Sequence, residues 1–295
     1  MSFDLDAALG AADLKRDLVS RIARETLAED LQWGPDVTTE ATIRSGQRGV
    51  ADVVARKPGT IAGIPVAAAV VEALADDHGV AVDFSAAISD GDRVGPGDRV
   101  LTVEGPLSTL LTAERTLLNL LSQLSGVATL TAAWADAIGD QPCKVRDTRK
   151  TVPGLRILQK YAVRCGGGVN HRMGLGDAAL IKDNHVAAAG SVRAAYEAVR
   201  SVNPSISCEI ECDTLEQVAE ALEVRPDLIL LDNMDTDQLR QAVALAAGRV
   251  KLEASGGLTL QDAAEVAATG VDYIAVGELT HSAPVLDLGF DLRTT

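Results

Sequence analysis

The spacing of apolar positions changes character along the chain. Between Asp13 and Leu31, Leu14, Leu18, Ile22 and Leu27 recur at near-helical intervals among charged residues, which predicts an amphipathic helix closed by Gly34-Pro35. Residues 48–56, RGVADVVAR, are valine-rich with partial alternation and predict a strand ending at Lys57-Pro58-Gly59. An alanine-rich helix is expected next, over 64–74. From Val80 to Glu104 the pattern turns to β, with VAVDF and RVLTVEG separated by the turn-forming SDGDRVGPGD. Pro106 then opens a long apolar segment, expected as one or two buried helices broken near Ser125-Gly126. Within it Arg115 interrupts a leucine-rich run. A buried, unpaired Arg is costly, so a carboxylate is expected to face it, on the protein or on a ligand.

Beyond about residue 140 the rhythm becomes strand, then helix, repeated. Six short strands are predicted, over 143–149, 178–182, 207–211, 228–232, 251–255 and 273–277. Their spacing is that of βα units, so parallel pairing through helical crossovers is expected. Each apolar strand runs out into polar or glycine residues: Arg149-Lys150, Lys182-Asp183, Glu211, Asp232-Asn233, Ser255-Gly256-Gly257 and Gly277-Glu278. In a parallel βα barrel those C-terminal ends share one rim, where catalytic groups sit. Three strands are followed by helix-capping pairs, Thr214 with Gln217, Asp235 with Gln238 and Thr259 with Asp262.

The change of rhythm divides the 295 residues into a first α+β domain over 1–125 and a barrel-like domain over 126–279. A composition 47% hydrophobic but only 3% aromatic fits Ala/Val/Leu packing of helices on a sheet. The net charge of −15 argues against general nucleic-acid or anionic-membrane binding. Cys143, Cys165, Cys208 and Cys212 show no metal-type spacing and are expected as reduced thiols. No signal-like N-terminus or membrane-length apolar run is present, so a cytoplasmic protein is expected.

Against that acidic background, residues 144–185 hold nine of the 27 Lys and Arg but only three of the 42 Asp and Glu. A cationic pocket for a small, multiply charged anion produces this pattern, and so does a solvated basic helix face; only 156–164 has helix-like spacing. Ser255-Gly256-Gly257 before a capped helix can cradle a phosphate, or can simply form a turn. Glu211 and Asp232 can accept from sugar hydroxyls or hold Mg²⁺; alternatively they pair with Lys150 or Lys182. His171 and His185 lie inside the basic island, where a polar site suits His171 better than core packing. No arrangement typical of a covalent nucleophile is present.

DTRKT at 147–151, GGGVNHRMGL at 166–175, IKDNH at 181–185, EIE at 209–211, LDN at 231–233 and EASGG at 253–257 together resemble the quinolinate phosphoribosyltransferase family. The likeness extends to AERTLLNLLSQLSGVAT at 113–129 and GDRVGPGD at 91–98. It implies an N-terminal α/β sandwich joined to an incomplete, roughly six-stranded parallel α/β barrel, with 280–295 returning to the sandwich. It also implies a Mg²⁺-dependent condensation of quinolinate with phosphoribosyl pyrophosphate. Arg149, His171, Arg172 and Lys182 would surround the quinolinate carboxylates, with Arg115 supplied by the partner subunit of a homodimer. Lys150 would serve the anionic co-substrate, and Ser255, Gly256, Gly257 and Gly277 complete the expected substrate-binding set. Glu211 and Asp232 would meet ribose and Mg²⁺. Lys150, Lys182, Glu211 and Asp232 form the expected catalytic group. A transferase using nicotinate would have one carboxylate to bind, and a non-catalytic anion binder would have no use for Glu211 and Asp232.

Overall fold

A computed structural model describes residues 3–293, and these form two compact units. The first runs to Leu130 and also takes in Ile157–Gly166 and the chain from Ala283; the second is Thr131–Arg156 with Gly167–Ser282. The division expected from sequence placed the boundary at 125/126 and left 157–166 in the barrel; its residues 1, 2, 294 and 295 lie outside the described ones.

The first unit contains α1 (Leu5–Ala11), α2 (Arg16–Leu31), α3 (Val37–Thr42), β1 (Arg48–Ala55), β2 (Gly59–Thr60), α4 (Ile64–His78), β3 (Asp83–Ala86), β4 (Arg93–Val94) and β5 (Arg99–Pro106). Its main sheet has the order β12-β1-β5-β3, all antiparallel, with β12 (Leu288–Arg293) coming from the far end of the chain. Alternation along β1 buries Ala51, Val53 and Ala55 on one face. Helices α1 and α3 escape periodicity analysis because each is under two turns long, set by Asp4 and Asp36, whose carboxylates accept from the Ala7 and Thr39 amides. Helix α4 continues four residues past its expected end. Gly79, at φ 63°, closes it, and the Val80 N–H is spent on the Ala75 carbonyl, so the next strand starts only at Asp83.

The long apolar segment is one uninterrupted helix, α5 (Leu107–Ile138), and not two broken at Ser125-Gly126. Both residues serve contacts across the helix surface. Ser125 Oγ accepts from the Ala62 amide at 3.1 Å, and Thr129 Oγ1 accepts from the Thr60 amide at 2.8 Å. A Cβ on Gly126 would lie 2.2 Å from the Pro284 carbonyl oxygen, so glycine here permits close approach of two backbones.

Helix α6 (Arg156–Cys165) buries Leu158 and Ala162. The Tyr161 hydroxyl donates to Asp90, the same carboxylate that accepts the Gly63 and Ile64 amides at the start of α4, and Arg164 donates to the Ala12 carbonyl at 2.7 Å. These bonds account for 157–166 belonging to the first unit.

The second unit is a parallel sheet of β6 (Lys144–Arg146), β7 (Ala178–Ile181), β8 (Ser207–Cys212), β9 (Leu228–Asp232), β10 (Lys251–Ser255) and β11 (Tyr273–Ala275), in the order β6-β11-β10-β9-β8-β7. Among the described residues β6 and β7 are both edges, so the barrel is incomplete. Helices α7 (Asp183–Ala189), α8 (Val192–Val202), α9 (Leu215–Val224), α10 (Thr236–Ala246) and α11 (Ala263–Ala267) connect the strands, and α12 (Glu278–His281) follows the last. Strands β9 and β10 fall where sequence placed them; β6 and β11 are three residues each, because the chain leaves the sheet where the polar rim begins. The expected capping pairs form. The Gln217 and Gln238 amides donate to Thr214 Oγ1 and Asp235 Oδ1, both glutamines bond back, and the Thr259 amide donates to Asp262.

Gly126→Ala is expected to destabilise by about 1–3 kcal/mol through the forced separation of two backbones. Gly10→Ala, where an added methyl meets nothing within 4 Å, should be neutral or mildly stabilising. Urea unfolding of the two variants side by side checks this, and equal midpoints would contradict it.

Candidate active site

Period-two geometry aims alternate side chains of each strand into the barrel, and in pairs two residues apart they line one cavity of about 410 Å³. The pairs are Leu180 and Lys182, Glu209 and Glu211, Leu230 and Asp232, and Glu253 and Ser255; of these only Glu209 lies just below the lining. The chain after β6 adds Thr148, Arg149 and Lys150, and the loop before β7 adds His171 and Arg172. A neighbouring nook of about 190 Å³ is lined by Lys150, Ser255, Gly256, Gly257, Gly277 and His281 among others. Eleven of the twelve residues singled out from sequence therefore converge on two adjoining hollows. The exception is Arg115, which lies in the first unit, exposed on α5, so the burial argument for a facing carboxylate does not apply within one chain.

A hollow of about 510 Å³ in the first unit, beside Tyr161 and Asp90, is a weaker candidate. Its carboxylate already caps α4 and its Arg164 is already bonded to Ala12.

Charge in the barrel cavity is unevenly compensated. Lys182 and Glu211 form an ion pair, as the bland reading of Glu211 anticipated. Asp232 accepts from Asn233 Nδ2 at 2.6 Å. Arg172 donates to the Ala178 carbonyl at 3.0 Å, but its Nε and that of Arg149 are both buried without a hydrogen-bond partner. Burial holds the Arg172 guanidinium below its ordinary pKa, and repulsion from Arg149 lowers it further. Two adjacent cations with unused donors form a site for a carboxylate or another planar anion.

In the smaller nook, Gly256 adopts φ 92°, and a Cβ there would lie 2.3 Å from Asn233 Oδ1. A Cβ on Gly277 would meet Lys150 Cδ at 3.0 Å. A side chain is excluded at Gly256 and would displace Lys150 at Gly277, so bare backbone at both positions faces the space alongside Lys150, Ser255, Glu278 and His281; glycine backbone beside Lys150 is a pattern suited to phosphate. His185 stands apart: its Nδ1 accepts the Lys182 amide at 3.0 Å and shapes the start of α7.

Two family models cover most of the chain. The quinolinate phosphoribosyl transferase N-terminal domain matches residues 36–125, and the C-terminal domain of the same enzyme matches residues 127–291. The nicotinate-nucleotide pyrophosphorylase (carboxylating) of Mycobacterium leprae is 51% identical over 284 residues, spanning 95% of this chain and 99% of that protein. The chloroplastic enzyme of the same name from Arabidopsis thaliana is 39% identical over 292 residues, covering 92% and 82%. The solved nicotinate-nucleotide pyrophosphorylase of Francisella tularensis superposes with a TM-score of 0.90 at 36% identity, over 95% of this chain and 98% of that one. The chain belongs to the quinolinate phosphoribosyltransferase family.

Beneath the cations of this quinolinate phosphoribosyltransferase fold lies a layer that the motif-by-motif reading missed. Glu209 and Glu253 are both buried, and His171 Nε2 lies 2.8 Å from Glu209 and 3.6 Å from Glu253. Arg146, from β6, donates to Glu253 at 2.7 Å. Buried Asp147 accepts the His171 amide at 2.9 Å and the Asn170 side chain, fixing the loop that carries Arg172. Each missed glutamate sits two residues before a recognised rim residue, Glu211 or Ser255, so the strand period alone could have pointed to it.

His171, Glu209 and Glu253 lie close enough to bind a cation, but the Arg172 amide donates to His171 Nδ1 at 2.7 Å. A ring holding metal through Nε2 would need its proton on Nδ1, where that amide already points. The cluster is a hydrogen-bonded clamp.

Burial, reinforced by Glu209, raises the Glu253 carboxyl from its ordinary 4.5 to about 7. The folded form therefore binds this proton more tightly than the unfolded chain. Its contribution to stability is complete below about pH 4.5 and is lost as pH rises through about 7. Glu253→Gln should remove that component, so the stability difference, wild type minus variant, should fall between those pH values. Urea unfolding at several pH values measures it; a difference independent of pH would contradict the assignment.

Proposed function

We propose that the chain transfers the phosphoribosyl group of phosphoribosyl pyrophosphate to quinolinate with decarboxylation, giving nicotinate mononucleotide, pyrophosphate and CO₂, a step of NAD biosynthesis. The observation that carries this reading is the pair Arg149 and Arg172, two neighbouring guanidinium groups with buried, unbonded Nε atoms at the mouth of a barrel. A dicarboxylate uses both forks, whereas a single carboxylate leaves one cation desolvated and unpaired. Lys182, with its ammonium already beside Glu211, would close the same end of the ring. His171 contributes through the clamp described above.

The phosphate end of the co-substrate fits the Gly256, Gly257 and Gly277 nook with Lys150, and Ser255 at the boundary of the two hollows. Glu211 and Asp232 end adjacent strands and offer carboxylate oxygens toward one cavity, a donor set that fits Mg²⁺. They would hold the ion, which would neutralise charge on the departing pyrophosphate. As the pyridine nitrogen forms its bond to the sugar, the C–O bond to pyrophosphate breaks and positive charge develops at the sugar carbon; the same carboxylates stabilise it. The positive charge on the quaternised ring nitrogen then stabilises the electron pair left on the adjacent ring carbon when its carboxylate leaves as CO₂, and that carbon takes up a proton from solvent, so no catalytic base is required for that step.

Among the described residues no helix is long and apolar enough to cross a membrane, and all four cysteines are free. A reducing, cytoplasmic setting agrees with those thiols. An exposed Arg115 on an otherwise leucine-rich helix supports a homodimer in which that residue completes the partner's site.

Incubation with quinolinate, phosphoribosyl pyrophosphate and Mg²⁺ should release nicotinate mononucleotide and CO₂ in equal amounts; turnover of nicotinate instead would overturn the reading. Arg172→Ala should weaken quinolinate binding by about 1.5–3 kcal/mol, roughly 10–150-fold, with the fold intact, since one charge-assisted contact is lost. Calorimetric titration against folded variant reads this directly.

Shared sites have a distinct signature. Arg115→Ala and Lys182→Ala should each be nearly inactive, yet mixing them with subunit exchange should restore about a quarter of wild-type activity, because half the dimers are mixed and each regains one complete site. No recovery after verified exchange would refute the shared site and confine any role of Arg115 to its own chain.

A further inference from the structure

His171 is 8% exposed and is engaged at both ring nitrogens. The Arg172 amide donates to Nδ1 at 2.7 Å, which leaves a lone pair there and puts the ring proton on Nε2. That proton points at Glu209 Oε2, 2.8 Å away, while Glu253 Oε1 stands farther off at 3.6 Å and Glu253 already has Arg146 as a partner. From these contacts, and resting on the quinolinate assignment of the cavity, we infer that Glu209 is a positioning residue for the carboxylate pocket, acting on Arg172 through the His171 ring.

Glu209 sits within β8, a central strand paired on both sides, so the backbone that carries its buried carboxylate is fixed by the sheet. Arg172 sits in the irregular loop before β7. The imidazole spans the two: one nitrogen bonded to the strand, the other to the backbone N–H of the very residue whose guanidinium faces the cavity. Asp147 holds the loop one residue earlier, at the His171 amide, and the Ala178 carbonyl anchors the Arg172 guanidinium. The backbone amide of Arg172 is therefore set by this relay. Glu209 Oε1 is buried and has no hydrogen-bond partner among the described residues, so this carboxylate is not serving a second structural bond from that oxygen.

Simple charge balance for the cations above would need only a negative charge at Glu209. The relay needs an acceptor for Nε2–H, charged or not, and this difference is measurable. Glu209→Gln keeps an acceptor oxygen and removes the charge, whereas Glu209→Leu removes both. Quinolinate affinity should stay within about threefold of wild type in the glutamine variant and fall about tenfold or more in the leucine variant. Affinity for phosphoribosyl pyrophosphate with Mg²⁺ should change less than about twofold in either, because that ligand does not depend on Arg172. In ¹⁵N-histidine spectra of the unliganded wild type, the signals absent from His171→Asn should report a proton on Nε2 and none on Nδ1.

A proton on Nδ1, equal quinolinate losses in the two variants, or losses of both ligands in parallel would each overturn the relay. If the leucine variant fails to fold, a tenfold loss in Glu209→Gln overturns it equally. Wild-type protein that binds no quinolinate refutes the functional assignment itself, a result distinguishable from wild-type binding with equal losses, which refutes only the role of Glu209.

Discussion

Two like charges held close together, half-buried at a cavity mouth, are the constraint on which this barrel depends. Arg149 and Arg172 repel one another and leave buried donors unused, a state that a folded protein tolerates only when the surroundings hold both side chains in place. The surroundings do so with acids one layer down. Asp147 fixes the loop, Glu253 takes Arg146, and Glu209 meets the histidine between them. A cationic surface thus lies over an anionic floor, so the cavity presents unused guanidinium donors to a ligand while the barrel beneath it is close to balanced.

The sheet makes such layering inexpensive in sequence. Because strand side chains alternate, a glutamate two residues below a rim residue faces the same interior, and EIE and EAS each place one polar group at the rim and one beneath it. The glycines do complementary work at the other hollow, where Gly256 and Gly277 keep side chains away from a space that Lys150 borders.

Much of this was legible from residues alone. The polar ends of six apolar strands marked the rim, and the capping pairs at Thr214, Asp235 and Thr259 marked the helices after three of them. What sequence hid is non-local. Ser125-Gly126 resembles a helix break, because nothing nearby in sequence says that Pro284 lies against it. Asp90 reads as a turn residue, though it caps α4 and receives Tyr161 from much later in the chain. Arg115 was expected to be buried from its leucine neighbours, but a helix has an outer face, and the alternation of buried and exposed positions around residue 115 puts it there. Glu209 and Glu253 were passed over because a glutamate inside an apolar strand gives no sign, by itself, of a histidine or arginine opposite.

Strand β1 is flanked by β5 on one side and by β12 on the other, and the ion pair joining Arg56 to Asp291 spans 235 residues of chain. During synthesis at the ribosome, β1 emerges well over 200 residues before β12. At ordinary elongation rates the interval is on the order of 10–50 s. For that time one side of β1 is an unprotected row of backbone donors and acceptors, open to pairing with another nascent chain. The Asp52 carboxylate in the middle of the strand, beside valines and alanines, places a charge on this temporary edge. Once β12 arrives, Asp52 becomes the partner of Arg293, so a single residue guards the edge before closure and binds the closing strand afterwards.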